Sequence, residues 1–281
     1  MIRLGGHGLH IDSDDPFAFA RAHRAFGYAA AYCPPVEPGN TERLKAIETA
    51  FAAENVVIAE VGIWRNLVSR DAETRRANRA YALERLAIAD TVGARCAVTF
   101  IGTYVPGART GPSAENFSSD AFDETVEVVR DLIDTVKPLR TKFALELMQN
   151  SLPDSVDAYL DLIRAIDRPA FAAHIDPVNI VMTPRVYFDT GALIRELFAR
   201  LGPWVVSCHA KDILLHDQVA LHLDEVMIGE GALDYRTYLA ELDRLDDVPL
   251  MLEHLPAEDY AIARDRVFAV GDAIDVSFVG R

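Results

Sequence analysis

The stretch WVVSCHAKDI, Trp204–Ile213, starts as a buried β-strand and finishes differently. Val205, Val206 and Cys208 favour an apolar interior, yet His209, Lys211 and Asp212 follow at once. A strand that ends in ionisable groups is opening into a site or into solvent. Which of the two applies depends on whether other strands in the chain end the same way.

Eight short apolar runs read as strands: IRLGG (2–6), AAAYC (29–33), VVIAEVG (56–62), CAVTFIG (96–102), KFALELM (142–148), AFAAHID (170–176), WVVSCHA (204–210) and PLMLEHL (249–255). Each is followed by a helical pattern. After the fourth run, Phe122, Val126, Val129, Ile133 and Val136 form an apolar stripe at helical spacing, with acidic residues on the other side. Ser119 is the expected cap of that helix, and Pro138 ends it. Tyr235, Tyr238, Leu239, Leu242 and Leu245 repeat the stripe after the seventh run. Strict strand–helix alternation implies parallel strands joined by right-handed crossovers. Eight such units in 281 residues predict a single-domain (β/α)₈ TIM barrel over residues 1–281, with an open doubly wound sheet as the alternative.

Composition narrows the function classes. A net charge of −15 and a pI near 4.9 disfavour a nucleic-acid partner, whose affinity for protein comes mainly from basic residues. They equally disfavour an anionic membrane surface. The N-terminal residues have no basic stretch leading into an apolar core, so no signal peptide is expected, and no run approaches a bilayer span. Cys33, Cys96 and Cys208 are widely spaced and read as reduced core residues. The expectation is a cytoplasmic protein acting on a small molecule.

The last four strands end in Glu146, Asp176, His209 and Glu253. A barrel builds its active site from strand C-termini and the loops after them. Three carboxylates gathered in a dry pocket repel one another unless a cation neutralises them. Any one of these residues alone reads more simply as a solvated strand end or a satisfied polar group. All four at corresponding ends of consecutive strands point to one divalent ion. A shell of three carboxylates and one imidazole suits Mn²⁺ first, with Mg²⁺, Co²⁺ or Zn²⁺ also compatible.

These motifs resemble the xylose isomerase-like TIM barrels, the sugar isomerase and epimerase superfamily that includes ketose 3-epimerases. The resemblance runs from GYAAAYCPP through GARCAVTFIG to LMLEHL, and is strongest in HAKD and the following GEGALDY. It implies that Glu146, Asp176, His209 and Glu253 bind the metal and that Glu146 and Glu253 also exchange protons with the sugar. A metal holding a ketose carbonyl and its neighbouring hydroxyl acidifies the adjacent C–H. Two carboxylates on opposite faces of the sugar would then invert a stereocentre, and one acting alone would give an aldose–ketose shift. The function this implies is a divalent-metal-dependent isomerase or epimerase of a sugar, keto-sugar or cyclitol. Asn179 stands where the epimerases carry a sugar-contacting His, and Leu215 and His216 stand where a substrate-binding Arg is common. Those departures keep a metal-dependent lyase open, of the kind that cleaves C-glycosides of 3-keto sugars together with a small partner subunit. A homo-oligomer is compatible with either reading. An abasic-site nuclease on the same barrel is disfavoured by the charge.

Other residues are placed by strand period. His174, two before Asp176, points into the barrel, to orient a ligand, to meet substrate or as a polar core group. Lys211 shares the side of His209 and is a candidate for a sugar hydroxyl or an ion pair. Glu60 ends the third strand as pocket wall; Trp64 offers a stacking face; His10 and His7 flank the first strand end. Gln149 and Asn150 follow Glu146, and Tyr104 is placed near the mouth. Asp212 is expected to orient a loop. His254 is assigned to the structural face opposite Glu253. The Gly-, Pro- and Ser-rich segment 102–119 reads as a lid.

Overall fold

The computed structural model describes residues 1–281. Eight of its strands close into a parallel barrel: β1 (Arg3–Gly6), β2 (Ala30–Tyr32), β3 (Val57–Gly62), β4 (Cys96–Thr99), β5 (Lys142–Glu146), β6 (Phe171–Ile175), β7 (Val205–Ala210) and β10 (Pro249–Leu252). The order around the barrel is β1-β10-β7-β6-β5-β4-β3-β2, so the last four strands are neighbours. Each predicted strand is present, a residue or more shorter at one or both ends. Helices α1 (Pro16–Ala25), α2 (Thr41–Ala53), α3 (Ala72–Val92), α4 (Ser119–Val136), α5 (Val156–Ile166), α6 (Pro184–Tyr187), α7 (Thr190–Leu201), α8 (Tyr235–Asp243) and α9 (Tyr260–Asp272) form the outer layer. None is long and apolar enough to cross a membrane.

The sequence reading missed one element. After β7 the chain makes an antiparallel hairpin, β8 (Asp212–Leu215) and β9 (Leu223–Val226), before reaching α8. A second difference is small: Ser118, not Ser119, caps α4, its hydroxyl accepting from the Ala121 amide at 3.1 Å. Ser118 has the extended backbone a cap needs, whereas Ser119 is already helical.

The main core lies between strands and helices, where Tyr159, Tyr238, Phe51 and Leu132 are fully buried. Inside the barrel, alanine, cysteine and valine side chains surround a single methionine. Ala30, Ala59 and Met251 form one cluster, and Cys96, Val98 and Ala144 form another. This leaves room above them for the polar groups of the mouth.

Two register slips aim those groups. β2 and β3 slip between Ala31 and Tyr32, so that Tyr32 faces Glu60. β6 and β7 slip between Ala173 and His174: Ala173 pairs with Val205, but His174 pairs with Ser207. Val206 is the extra residue. It faces the barrel interior beside Cys96 and Val98, and Ser207 after it faces inward as well, so that His209 is also inward; an unbroken alternation from Val205 would turn both toward the helices.

Candidate metal centre

Glu146 ends β5, Asp176 follows β6, His209 lies near the end of β7 and Glu253 follows β10. One ligand atom from each lies within 4.8 Å of the others. His209 Nδ1 is 2.8 Å from Glu146 Oε1, 3.0 Å from Glu253 Oε1 and 3.7 Å from Asp176 Oδ2. The Val178 amide donates to Asp176 Oδ1 at 3.1 Å and fixes that carboxylate. The hydroxyl of Tyr238 on α8 donates to the His209 carbonyl at 2.8 Å and braces β7 from outside.

Two buried oxygens in this cluster, Asp176 Oδ2 and Glu253 Oε1, have no hydrogen-bond partner. The Lys211 ammonium stands 2.6 Å from the first and 2.8 Å from the second. Three carboxylates gathered in the interior repel one another, and that repulsion is costly. A cation bonded to both oxygens, to Glu146 and to the Nδ1 lone pair removes that cost. The residues present therefore fit one divalent ion in an oxygen-rich shell.

The far side of the His209 ring is also specified. Its Nε2 is 3.3 Å from Glu60 Oε2, and Glu60 Oε1 is approached by His174 Nε2 at 3.0 Å and by the Ser207 hydroxyl at 2.5 Å. With Nε2–H donating to Glu60, Nδ1 is left as the acceptor that faces the carboxylates. Glu60 was expected as pocket wall; it lines the cavity and also holds the ligand histidine. His174 is fully buried and does not line the cavity; its Nε2 meets the same carboxylate that holds His209, a position open both to orienting that ring and to a polar core role.

The electrostatics are opposed across the cluster. Burial raises the Glu146 carboxyl above its ordinary value, and Asp176 and Glu253 add to the rise against the pull of His209. Burial acts the same way on Glu253, but His209 and Lys211 outweigh it and bring that carboxyl down to about 2. Burial would also neutralise His209, yet Glu253 and Glu60 hold its imidazole well above the usual range. Lys211 stays charged because Asp176 and Glu253 outweigh its own desolvation.

Above the cluster lies a cavity of about 640 Å³. Glu146, Glu253, Lys211, Asn179, Glu60, Trp64 and Gln149 all line it. Trp64 reaches it because Gly62 has no side chain; a Cβ there would meet the indole Nε1 at 2.4 Å. Asn179 takes the Lys211 ammonium on its Oδ1 at 3.2 Å and donates to the Leu147 carbonyl at 3.0 Å. The segment after β4 sends Arg109 and Thr110 to the rim, while Asn116 ties its base to Gly111 and Asn150.

Four expectations change. His10 is exposed and lies outside the lining, whereas His7 lines the cavity, stacked on Tyr32 with ring centroids 4.3 Å apart. Tyr104 is buried and donates to Glu124 on α4 at 2.8 Å, away from the cavity. Asn150 is outside the lining, its carbonyl held by Asn116. His254 does line the cavity, because β10 stops at Leu252 and His254 adopts a φ of +57°, which cancels the strand alternation. Glu225 on β9 was not foreseen; it is 2.8 Å from His254 Nδ1. Asp212 holds the loop before α8, accepting from the amides of Gly229, Gly231 and Leu233 at 2.8, 3.2 and 2.9 Å.

Comparison with known proteins bears on this geometry. Residues 19–268 match the family model described as xylose isomerase-like TIM barrel. No curated protein sequence matches the chain. Solved structures share the fold at low identity. A "probable 3-DHS dehydratase" involved in petrobactin synthesis, from Bacillus anthracis, superposes with a TM-score of 0.70 at 17% identity over 96% of this chain and 99% of that one. D-psicose 3-epimerase from Clostridium cellulolyticum H10, solved with D-tagatose, gives 0.69 at 12% identity over 98% of both chains. A xylose isomerase-like TIM barrel protein from Mycobacterium smegmatis, solved in complex with magnesium, gives 0.63 at 18% identity over 98% of both.

Proposed function

The chain belongs to the xylose isomerase-like TIM barrel family, and on that premise we propose that it is a divalent-metal-dependent isomerase or epimerase of a sugar, keto-sugar or cyclitol. One observation carries the reading. Glu146, Asp176, His209 and Glu253 converge within 4.8 Å beneath a cavity of about 640 Å³, three buried carboxyl groups and one imidazole on a single point. When bound, a divalent ion supplies Lewis acidity that polarises a substrate carbonyl and lowers the acidity barrier of the neighbouring C–H.

The chain's own groups account for the proton movements. Glu146 and Glu253 both line the cavity and come from strands at either end of the four-strand arc. One of the two takes a proton from the carbon next to the carbonyl, and the other returns one. Lys211 remains a cation at the floor, available to negative charge developing on oxygen. The aromatic rings of Trp64 and Phe100 offer an apolar face to the sugar ring. The fold shared with a sugar epimerase supports this reading.

Elimination is the second reading, favoured by the fold shared with a dehydratase and by Asn179 at the position of the epimerase histidine. Both reactions begin with the same C–H cleavage; they part when the carbanion is reprotonated or expels a group from the next carbon. Anaerobic incubation of Mn²⁺-loaded protein in D₂O with ketoses, inososes and 3-keto-glycosides separates them. Deuterium on the carbon beside the carbonyl of recovered sugar is the expected result. A released leaving group would transfer the assignment to elimination. Neither outcome with any member of the panel would overturn both.

A further inference from the structure

The β8–β9 hairpin carries a second group of ligand-type side chains, on the face turned away from the cavity. Its ladder pairs Leu214 with Asp224 and Leu215 with Leu223, and the next rung is the His216 amide donating to the His222 carbonyl at 3.0 Å. Residues opposite one another on an antiparallel pair share a face, and that face recurs every second residue. His216 and His222 are therefore cross-strand partners, with Asp224 on the same face one step along. Both imidazoles converge on a single carboxylate oxygen. His216 Nε2 is 2.8 Å and His222 Nε2 is 3.4 Å from Asp224 Oδ2, and one ligand atom from each residue lies within 4.8 Å of the others.

We propose that His216, His222 and Asp224 bind a divalent transition-metal ion of the Zn²⁺ type, separate from the centre in the barrel. Two imidazoles and one carboxylate favour Zn²⁺ or its imidazole-seeking neighbours over Mg²⁺ and Mn²⁺, the reverse of the oxygen-rich shell at Glu146 and its partners. Zn²⁺ ligands about 2.0–2.1 Å from a tetrahedral ion lie roughly 3.3–3.4 Å apart. The His222–Asp224 separation already meets this, and the His216–Asp224 contact opens by about half an ångström. All three side chains are at least one-third exposed, so that adjustment is free of core packing, and solvent reaches the fourth position.

The site clamps the hairpin at its tip, closing the turn that carries the fully exposed Val219. The opposite face of the hairpin presents Ile213, Leu215 and Leu223 to the core and Glu225 to the cavity, where it meets His254 at 2.8 Å and Lys211 at 3.6 Å. An ion on the outer face of β9 thus holds the strand that delivers Glu225 on the inner face.

The test uses the full chain in excess Mg²⁺, dialysed against Zn²⁺ with bound metal counted, in wild type and in His216→Ala and His222→Ala. Wild type is expected to take up one Zn²⁺ per chain more than either variant, whatever Zn²⁺ displaces from the barrel. Asp224→Asn serves in place of a histidine variant that fails to fold. Long-range ¹H–¹⁵N spectra of the wild type should move the ring nitrogens of His216 and His222 on Zn²⁺ addition. Equal uptake by wild type and variants, with ring shifts confined to His209, would overturn the proposal.

Discussion

Glu146, Asp176 and Glu253 gather around Nδ1 of a histidine whose far nitrogen is already committed to Glu60. Substitution separates ligation from proton transfer. Glu146→Gln and Glu253→Gln keep a ligating oxygen and remove the base, so each metal-loaded variant should lose about 10²–10⁴-fold in turnover, as general bases typically contribute. Asp176→Asn should act through metal affinity and recover with excess ion, read by titrating activity against Mn²⁺. Glu60→Gln leaves the His209 ring unanchored and should weaken metal binding by about 10–100-fold, the usual cost of losing a ligand's supporting partner. The protonation of His209 has a further consequence. Its folded-state pKa lies above the ordinary 6.5, so among the protein groups alone the imidazolium stabilises the fold below about pH 6.5 and this contribution is lost as pH rises through the raised value. A metal ligand must be neutral, so ion binding expels that proton. Calorimetry of Mn²⁺ binding near pH 7 in two buffers of different ionisation enthalpy should find roughly one proton released per ion, with affinity rising with pH. No proton release would show that His209 is already neutral before the ion binds.

At the scale of elements, the site depends on where strands slip and where they stop. The slip at Val206 leaves Ser207 and His209 facing inward, so one alanine inserted between Ser207 and Cys208, which reverses the parity of His209, should remove metal binding, measured by equilibrium dialysis, while the far-UV spectrum keeps its helical content. Uptake of one ion by the inserted chain would show that the register does not aim the ligand. The convergence of Glu146, Asp176, His209 and Glu253 was legible in the sequence because each ends an apolar run, and the parity of His174 and Lys211 was legible for the same reason. Parity failed where a strand had already ended: His254 follows Leu252 by two residues and takes a left-handed backbone, so its side chain turns into the cavity. His10 and Tyr104 lie in irregular segments, where periodicity gives no direction. The hairpin escaped because the seventh strand was ended at Ala210 and no element was assigned between it and the next helix. The alternation of Ile213 and Leu215, and of Leu223 and Glu225, is regular, and with it Glu225 would have been placed beside His254.

Over the whole molecule, the eight-fold alternation specified the barrel because each βα unit repeats the same two periods, and closure brings the last four strands together as neighbours. Closure is also what turns four separate sequence motifs into one centre, with Glu146 and Glu253 at the two ends of the arc. What periodicity does not carry is the shape of the mouth, which comes from the loop with Arg109 and from the hairpin with Glu225, both without a counterpart in the repeat. The central claim is that these four strand ends hold one ion. Its most direct measurement is the anomalous difference map of a crystal grown with Mn²⁺. The account predicts one peak at the mouth, roughly 2.0–2.3 Å from an oxygen of Glu146, Asp176 and Glu253 and from Nδ1 of His209. A map with no peak there, or with the ion bound through Nε2 of His209 on the Glu60 side, would contradict it.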